Sequence, residues 1–166
     1  MTSAPTPPTR VPPNEAPQIL MVDDDPVFLG AGSLAIRRGG MVVHTAPDAQ
    51  AAIALSQRFR PTVLVTDMQM PGMDGVDLFT YLRERFPLVR GILVSAHVDG
   101  ENLLRIARSG IHSVLCKSDL NISALRQAVF SQLQEADRWV ELLGRFQSGV
   151  TTAVQRRQKN ATKEPS

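Results

Sequence analysis

Asp23 and Asp24, Asp67, Ser95 and Lys117 each follow a short apolar run, at 19–22, 63–65, 92–94 and 114–116. If those runs are parallel strands of one sheet, the groups gather at its carboxyl edge, where open α/β sheets hold their ligands. Three carboxylates meeting there repel one another. At an effective dielectric of 20, two unit charges ~4 Å apart cost roughly 4 kcal/mol. Protonation, Lys117 or a divalent cation is needed to offset this. Hard oxygen ligands with open positions suit Mg²⁺, which keeps several waters and often engages one or two carboxylates plus a phosphate. A phosphoryl group on Asp67 would then be held by metal, by Lys117 and by the Ser95 hydroxyl. Such a set positions the group and neutralises charge during in-line transfer. Lys117 is the only lysine in residues 1–158, a span with fifteen arginines. An ammonium acts on phosphate as a point charge, where arginine acts as a planar fork.

The elements that must position these groups alternate regularly. The spacing predicts strand 1 from Gln18 to Val22 and helix 1 from Pro26, closed by Gly39-Gly40. Strand 2 begins at Met41, and Pro47-Asp48 opens helix 2. Strand 3 covers 62–66, and helix 3 runs from Gly75 to Arg85 before Pro87. Strand 4 starts at Gly91 and ends at Ser95-Ala96. Helix 4 covers Gly100 to Ser109, with Leu103, Leu104 and Ile106 expected inward. Strand 5 runs from Ser113 to Cys116, and Asn121 or Ser123 caps helix 5. Five strand–helix units of this length imply a doubly wound parallel sheet with helices on both faces.

Composition narrows the function. The net charge of +2 is too small to argue for nucleic acid, and no apolar run approaches the ~20 residues that span a bilayer. No signal-peptide core precedes residue 18, and the only cysteine, Cys116, makes no internal disulfide. Both fit a cytoplasmic protein. Cys116 is expected to be buried, as free thiols usually are. Residues 1–17 hold six of the twelve prolines and few apolar side chains, which predicts a disordered spacer arm. Asp48, Asp74, Asp77 and Asp99 sit at helix starts and read as caps or surface acids rather than ligands. His44, His97 and His112 share no metal-binding spacing and read as ordinary.

Four segments carry a family resemblance. They are Ile19-Leu-Met-Val-Asp-Asp-Asp25, Val63-Leu-Val-Thr-Asp-Met-Gln-Met-Pro-Gly-Met-Asp-Gly75, Leu93-Val-Ser-Ala96 and Val114-Leu-Cys-Lys117. In this order and spacing the chain resembles the receiver domain of two-component response regulators, over about residues 18–135. The resemblance implies a flavodoxin-like five-stranded sheet of order 2-1-3-4-5. It implies Asp67 as phosphoacceptor from a sensor histidine kinase or a histidine phosphotransfer protein. Mg²⁺ would be bound by Asp24 and Asp67, by Asp23 through water, and by the backbone carbonyl of Gln69. Lys117 would contact the phosphoryl group and Ser95 would swing toward it. Asp25 takes no metal role. Two positions depart from the common pattern. Ser118 stands where a proline often follows the lysine, and Val114 where many members carry a switch Tyr or Phe.

Two other readings are weighed against this one. A haloacid-dehalogenase-like phosphatase wants an acid two residues after its nucleophile, and Gln69 stands there. A phosphorylation-independent scaffold would have no need of the retained acids, Ser95 and Lys117.

Helix 5 is too long for one receiver. Ile122, Leu125, Val129, Ala136, Trp139, Leu143 and Phe146 keep a 3–4 spacing with Gln132 the one polar break, and residues 121–147 as one helix would be about 40 Å long. Residues 136–150 are expected to form an extension or a separate short helix. They would dock on a second copy or on another protein, or fold back. Residues 151–166 read as a polar, basic tail. Nothing after residue 135 has the length of a DNA-binding or enzymatic output domain. Output is therefore expected through contact with a downstream protein.

Overall fold

The structure, a computed structural model, describes residues 16–38, 41–97 and 99–161, with side chains described as far as Glu141. Five strands and five helices alternate. They are β1 (Gln18–Val22), α1 (Pro26–Arg37), β2 (Val42–Ala46), α2 (Ala49–Ser56), β3 (Val63–Asp67), α3 (Gly75–Arg85), β4 (Arg90–Ser95), α4 (Gly100–Ser109), β5 (Ser113–Cys116) and α5 (Ile122–Ala161). The sheet order is β2-β1-β3-β4-β5, with every pairing parallel. This is the expected doubly wound sheet.

Period-2 alternation divides the core between the two faces. Ile19, Met21, Val63 and Val65 face α1 and α5, where Ile36, Leu125 and Val129 complete one cluster. Leu20, Val22 and Leu64 face α2 and α3, against Ala52, Leu78, Phe79 and Leu82. All five residues of β3 are buried, so both layers press on the strand that ends in Asp67.

The helices start where short acids accept amide protons. Asp25, Asp48, Asp74 and Asp99 each cap a helix, accepting from Val27, Ala51, Val76 with Asp77, and Asn102. Asn121 caps α5 through the Ala124 N–H, 2.9 Å away. Gly110 follows α4 with φ of 75°, a left-handed closure that suits glycine.

Three expectations are corrected. Leu103 and Leu104 point to solvent and only Ile106 of the three is buried. The rotation of α4 follows from Arg105, on the inward side, whose guanidinium pairs with Asp74 and Asp77 of the α3 start. Cys116 is exposed rather than buried. On the edge strand β5, Ser113 and Leu115 turn inward while Val114 and Cys116 face outward. Finally, α5 neither folds back nor ends near residue 150, since the helix continues to Ala161. No proline interrupts 122–161, and Gln, Arg and Lys at 155–159 are good helix formers. The closing pair Gly39-Gly40 and nearly all of the proline-rich arm lie outside the described residues.

His112 lies at the opposite end of the sheet from the acids. Its Nδ1 accepts the Gly91 N–H at 2.9 Å, and its ring meets Phe79 edge-on at 5.8 Å. Burial, then the charges of Arg90 and Arg83, pull its pKa from 6.5 to about 4. The unfolded chain therefore takes up this proton first as pH falls. The stability of the neutral ring is complete above pH 6.5 and is lost toward about 4. The expected loss is about 1.4 kcal/mol per pH unit, and about 3 kcal/mol in all. Denaturant midpoints across that window should slope in the native protein and flatten in His112→Asn.

Candidate functional site

The strand ends deliver the acids and the amine to one place. The Asp23 N–H donates to the Ala46 carbonyl at 3.2 Å, fixing the chain as it leaves β1. The Met68 N–H donates to Val94 O at 2.9 Å, and the Lys117 N–H to Ser95 O at 2.8 Å. These bonds extend the sheet ladder one residue beyond β3 and β5. Gly75 closes the loop after β3. A Cβ there would lie 2.1 Å from the Asp67 carbonyl oxygen, so only glycine lets α3 begin against that strand.

Carboxylate oxygens of Asp23, Asp24 and Asp67 lie within 4.8 Å of one another. Lys117 Nζ is 2.8 Å from Asp23 Oδ2 and 2.8 Å from Asp67 Oδ2. It donates a well-formed hydrogen bond to Asp67. The approach to Asp23 is an ion pair without aligned hydrogen-bond geometry, so the fully buried Asp23 Oδ2 has no hydrogen-bond donor. The other oxygen, Asp23 Oδ1, accepts the Asp25 N–H at 2.9 Å. Asp67 Oδ1 accepts the Gln69 N–H at 3.2 Å.

Burial is the largest influence on Asp23 and pushes its carboxyl above the ordinary value. Lys117 and the Asp25 N–H oppose that push, and the charge of Asp67 adds to it. Burial alone would lower Lys117, but its close polar contacts and charge pairing with Asp23 and Asp67 outweigh this and raise it. The ammonium is therefore locked in its charged form. The Phe28 ring, 5.2 Å from Nζ, covers one side of it. Neither Phe28 nor the Asp25 amide stood out in the sequence. Phe28 sits two residues inside α1 with an ordinary helix pattern, and a backbone N–H leaves no mark in a sequence.

The set suits a hard divalent cation. It offers only oxygen ligands, and one of them, Asp23 Oδ2, is buried without a hydrogen-bond donor. Asp24 is exposed, which leaves the cluster open on the solvent side.

Ser95 is brought to the same edge, but its hydroxyl is hydrogen-bonded to His97 rather than to Asp67. Its hydroxyl donates to the His97 carbonyl at 2.6 Å, and the His97 N–H lies 3.3 Å from Oγ. Gln69 is placed as expected in the loop, with its side chain exposed. The acids read as structural are structural. Asp74 caps α3 and grips Arg105, with Arg105 Nη2 2.9 Å from Asp74 Oδ1 and 2.6 Å from Asp77 Oδ1. Burial raises the Asp74 carboxyl, but Arg105 and the Asp77 and Val76 amides outweigh it and leave it lowered. His44 Nε2 lies 2.8 Å from Gln18 Oε1 and its ring stacks on Phe59, far from any acid cluster.

The family model described as the response regulator receiver domain matches residues 19–130. The chain belongs to that family. TcrX of Mycobacterium tuberculosis, a probable transcriptional regulatory protein, is 40% identical over 78 residues, covering 47% of this chain and 33% of TcrX. DctD of Pseudomonas aeruginosa, a C4-dicarboxylate transport transcriptional regulatory protein, is 31% identical over 115 residues, 68% of this chain and 25% of DctD. This receiver chain thus spans a third or less of the length of those two relatives. An uncharacterized 14.6 kDa protein of Leptolyngbya boryana is 35% identical over 101 residues, 60% of this chain and 77% of that one. A CheY-like response regulator receiver domain from Methanospirillum hungatei has the same fold. Its TM-score is 0.70 at 22% identity, covering 75% of this chain and 98% of that one. Among the described residues, no helix is long and apolar enough to cross a membrane.

Proposed function

We propose that this receiver is a phosphoacceptor, with Asp67 taking a phosphoryl group from a histidine of a sensor kinase or a phosphotransfer protein. The observation that carries the reading is Lys117 Nζ at 2.8 Å from both Asp23 Oδ2 and Asp67 Oδ2. A single ammonium shared between two acids keeps Asp67 pointed at the place where further negative charge will arrive.

In the transfer, a carboxylate oxygen of Asp67 attacks phosphorus. The new P–O bond forms as the P–N bond to the donor imidazole breaks, and the imidazole leaves with that electron pair and takes up a proton. Lys117 neutralises charge on the transferring oxygens. Asp23, Asp24 and Asp67, with the backbone carbonyl of Gln69, are the groups that would hold Mg²⁺. The bound ion supplies charge neutralisation and alignment for the in-line displacement. Hydrolysis returns the Asp67 carboxylate and inorganic phosphate. The chain acts on no other substrate, so it is a signalling module rather than an enzyme. The phosphorylated form signals by contact with a downstream protein.

Labelling from a small phosphorylated donor tests this. About one acid-stable, base-labile equivalent per chain is expected, and it should depend on Mg²⁺. No label with Mg²⁺ present would indicate a scaffold, and continuous turnover of added phosphoester would indicate a hydrolase. Either result overturns the proposal.

A further inference from the structure

A cavity opens at the sheet edge opposite the acids. The end of α2, the link into β3 and the end of α3 enclose about 470 Å³. Small-molecule sites run from about 300 to 1,000 Å³, so the space suits one compact ligand. Phe59, Tyr81 and Phe86 bring half-buried rings to its wall, and the exposed Arg58, Arg60 and Arg85 stand around them. Tyr81 and Arg85 are one helical turn apart and share a face of α3. The Arg85 guanidinium lies 4.8 Å from the Tyr81 ring centroid. Phe59 is held from behind by the His44 ring, stacked at 3.7 Å, and His44 Nε2 is in turn 2.8 Å from Gln18 Oε1. The aromatic wall is therefore set before any ligand arrives.

Charge at this cavity is one-sided. No carboxylate lines it, and Glu84, beside Arg85 in sequence, is exposed outside it. Among the described residues, neither Arg58 nor Arg85 pairs with an acid. Arginines near helix ends have an ordinary use, which is to complement the negative C-terminus, and α2 and α3 both end here. Each such end carries roughly half a negative charge. Two ends offset about one of the three guanidinium charges and leave about two for a ligand. A phosphate monoester carries about that charge at neutral pH.

We propose that this cavity binds a nucleoside monophosphate, with the base against the aromatic wall and the phosphate in the arginine forks. Guanidinium meets phosphate through paired hydrogen bonds, and aromatic rings accept the face of any base. The five residues of β3, about 17 Å of strand, lie between this cavity and Asp67. The inference does not rest on the phosphoacceptor reading.

Isothermal titration calorimetry of the full chain with AMP, GMP, CMP and UMP in turn tests it. At least one should bind at one molecule per chain, about tenfold or more tighter than inorganic phosphate or its own nucleoside. Arg58→Ala and Arg85→Ala should each weaken that binding about tenfold or more, with thermal midpoint and Asp67 labelling unchanged. Tyr81→Leu should weaken it by a similar factor through lost stacking. Arg126→Ala, an exposed arginine of α5, should leave it as it is. Failure of all four nucleotides to bind at millimolar concentration would overturn the proposal. So would phosphate binding as tightly as the nucleotide, affinity indifferent to Arg58→Ala and Arg85→Ala, or affinity lost with Arg126→Ala. A single-stranded oligonucleotide held more tightly than every monophosphate would make the occupant a polymer and overturn it as well.

Discussion

Asp67→Asn removes covalent phosphoryl incorporation altogether, from about one equivalent per chain to background, a loss of at least about 10⁴-fold in rate. The amide is no nucleophile at neutral pH, and it cannot supply the charged oxygen that Lys117 Nζ holds at 2.8 Å. Misfolding will not account for the loss. The change removes one negative charge from a cluster of three whose oxygens lie within 4.8 Å of one another. Mutual repulsion falls, and Lys117 keeps Asp23 as a partner. The thermal midpoint of Asp67→Asn should therefore equal or exceed that of the native chain in the absence of divalent ions. Phosphoryl label retained at the native level would place the acceptor on another residue and end the assignment.

Lys117→Met should slow labelling by about 10²–10³-fold, the usual cost of losing one preorganised electrostatic contact to a transition state. The reasoning separates the amine from the metal ligands. Removing a fixed positive charge from among three acids leaves them more negative, so calorimetric titration with Mg²⁺ should show affinity retained or raised. Phosphoryl transfer, by contrast, loses the group that meets the incoming oxygens. Lys117→Arg should restore little, because a planar fork does not occupy the point between Asp23 Oδ2 and Asp67 Oδ2 where one nitrogen touches both. Labelling at native speed in Lys117→Met would remove Lys117 from the mechanism.

Much of this architecture was legible in the sequence because its signals are local. Val63-Leu-Val ahead of Asp67 marks a strand buried on both faces, and it is one. Pro26, Asp48, Asp74 and Asp99 mark helix starts that the structure places within a residue of expectation. Parallel connection then puts Asp23, Asp67 and Lys117 at one edge without any tertiary information. The misses are tertiary. Leu103 and Leu104 carry an apolar signal, but the Arg105 ion pairs to another helix set the rotation of α4. Cys116 follows the alternation of an edge strand, and edge position is a property of the sheet order. The length of α5 exceeds the sequence expectation because residues 151–161 read as part of a polar tail, although no proline among them ends a helix. The Ser95 bond to a backbone carbonyl has no counterpart in side-chain identity.

That last bond bears on how a response could leave the pocket. Ser95 owns a single transferable hydrogen, and at present the His97 carbonyl has it. A newly arrived anion on Asp67 can claim that hydrogen only by leaving His97 empty-handed. Gain at one end of the hydroxyl would therefore be loss at the other: under the proposed phosphoryl transfer, the bond that ties Ser95 to the His97 carbonyl would open as the anion is grasped. Val114 faces outward on β5 in place of an aromatic ring, so under that proposal the freed backbone carbonyl would itself carry the message.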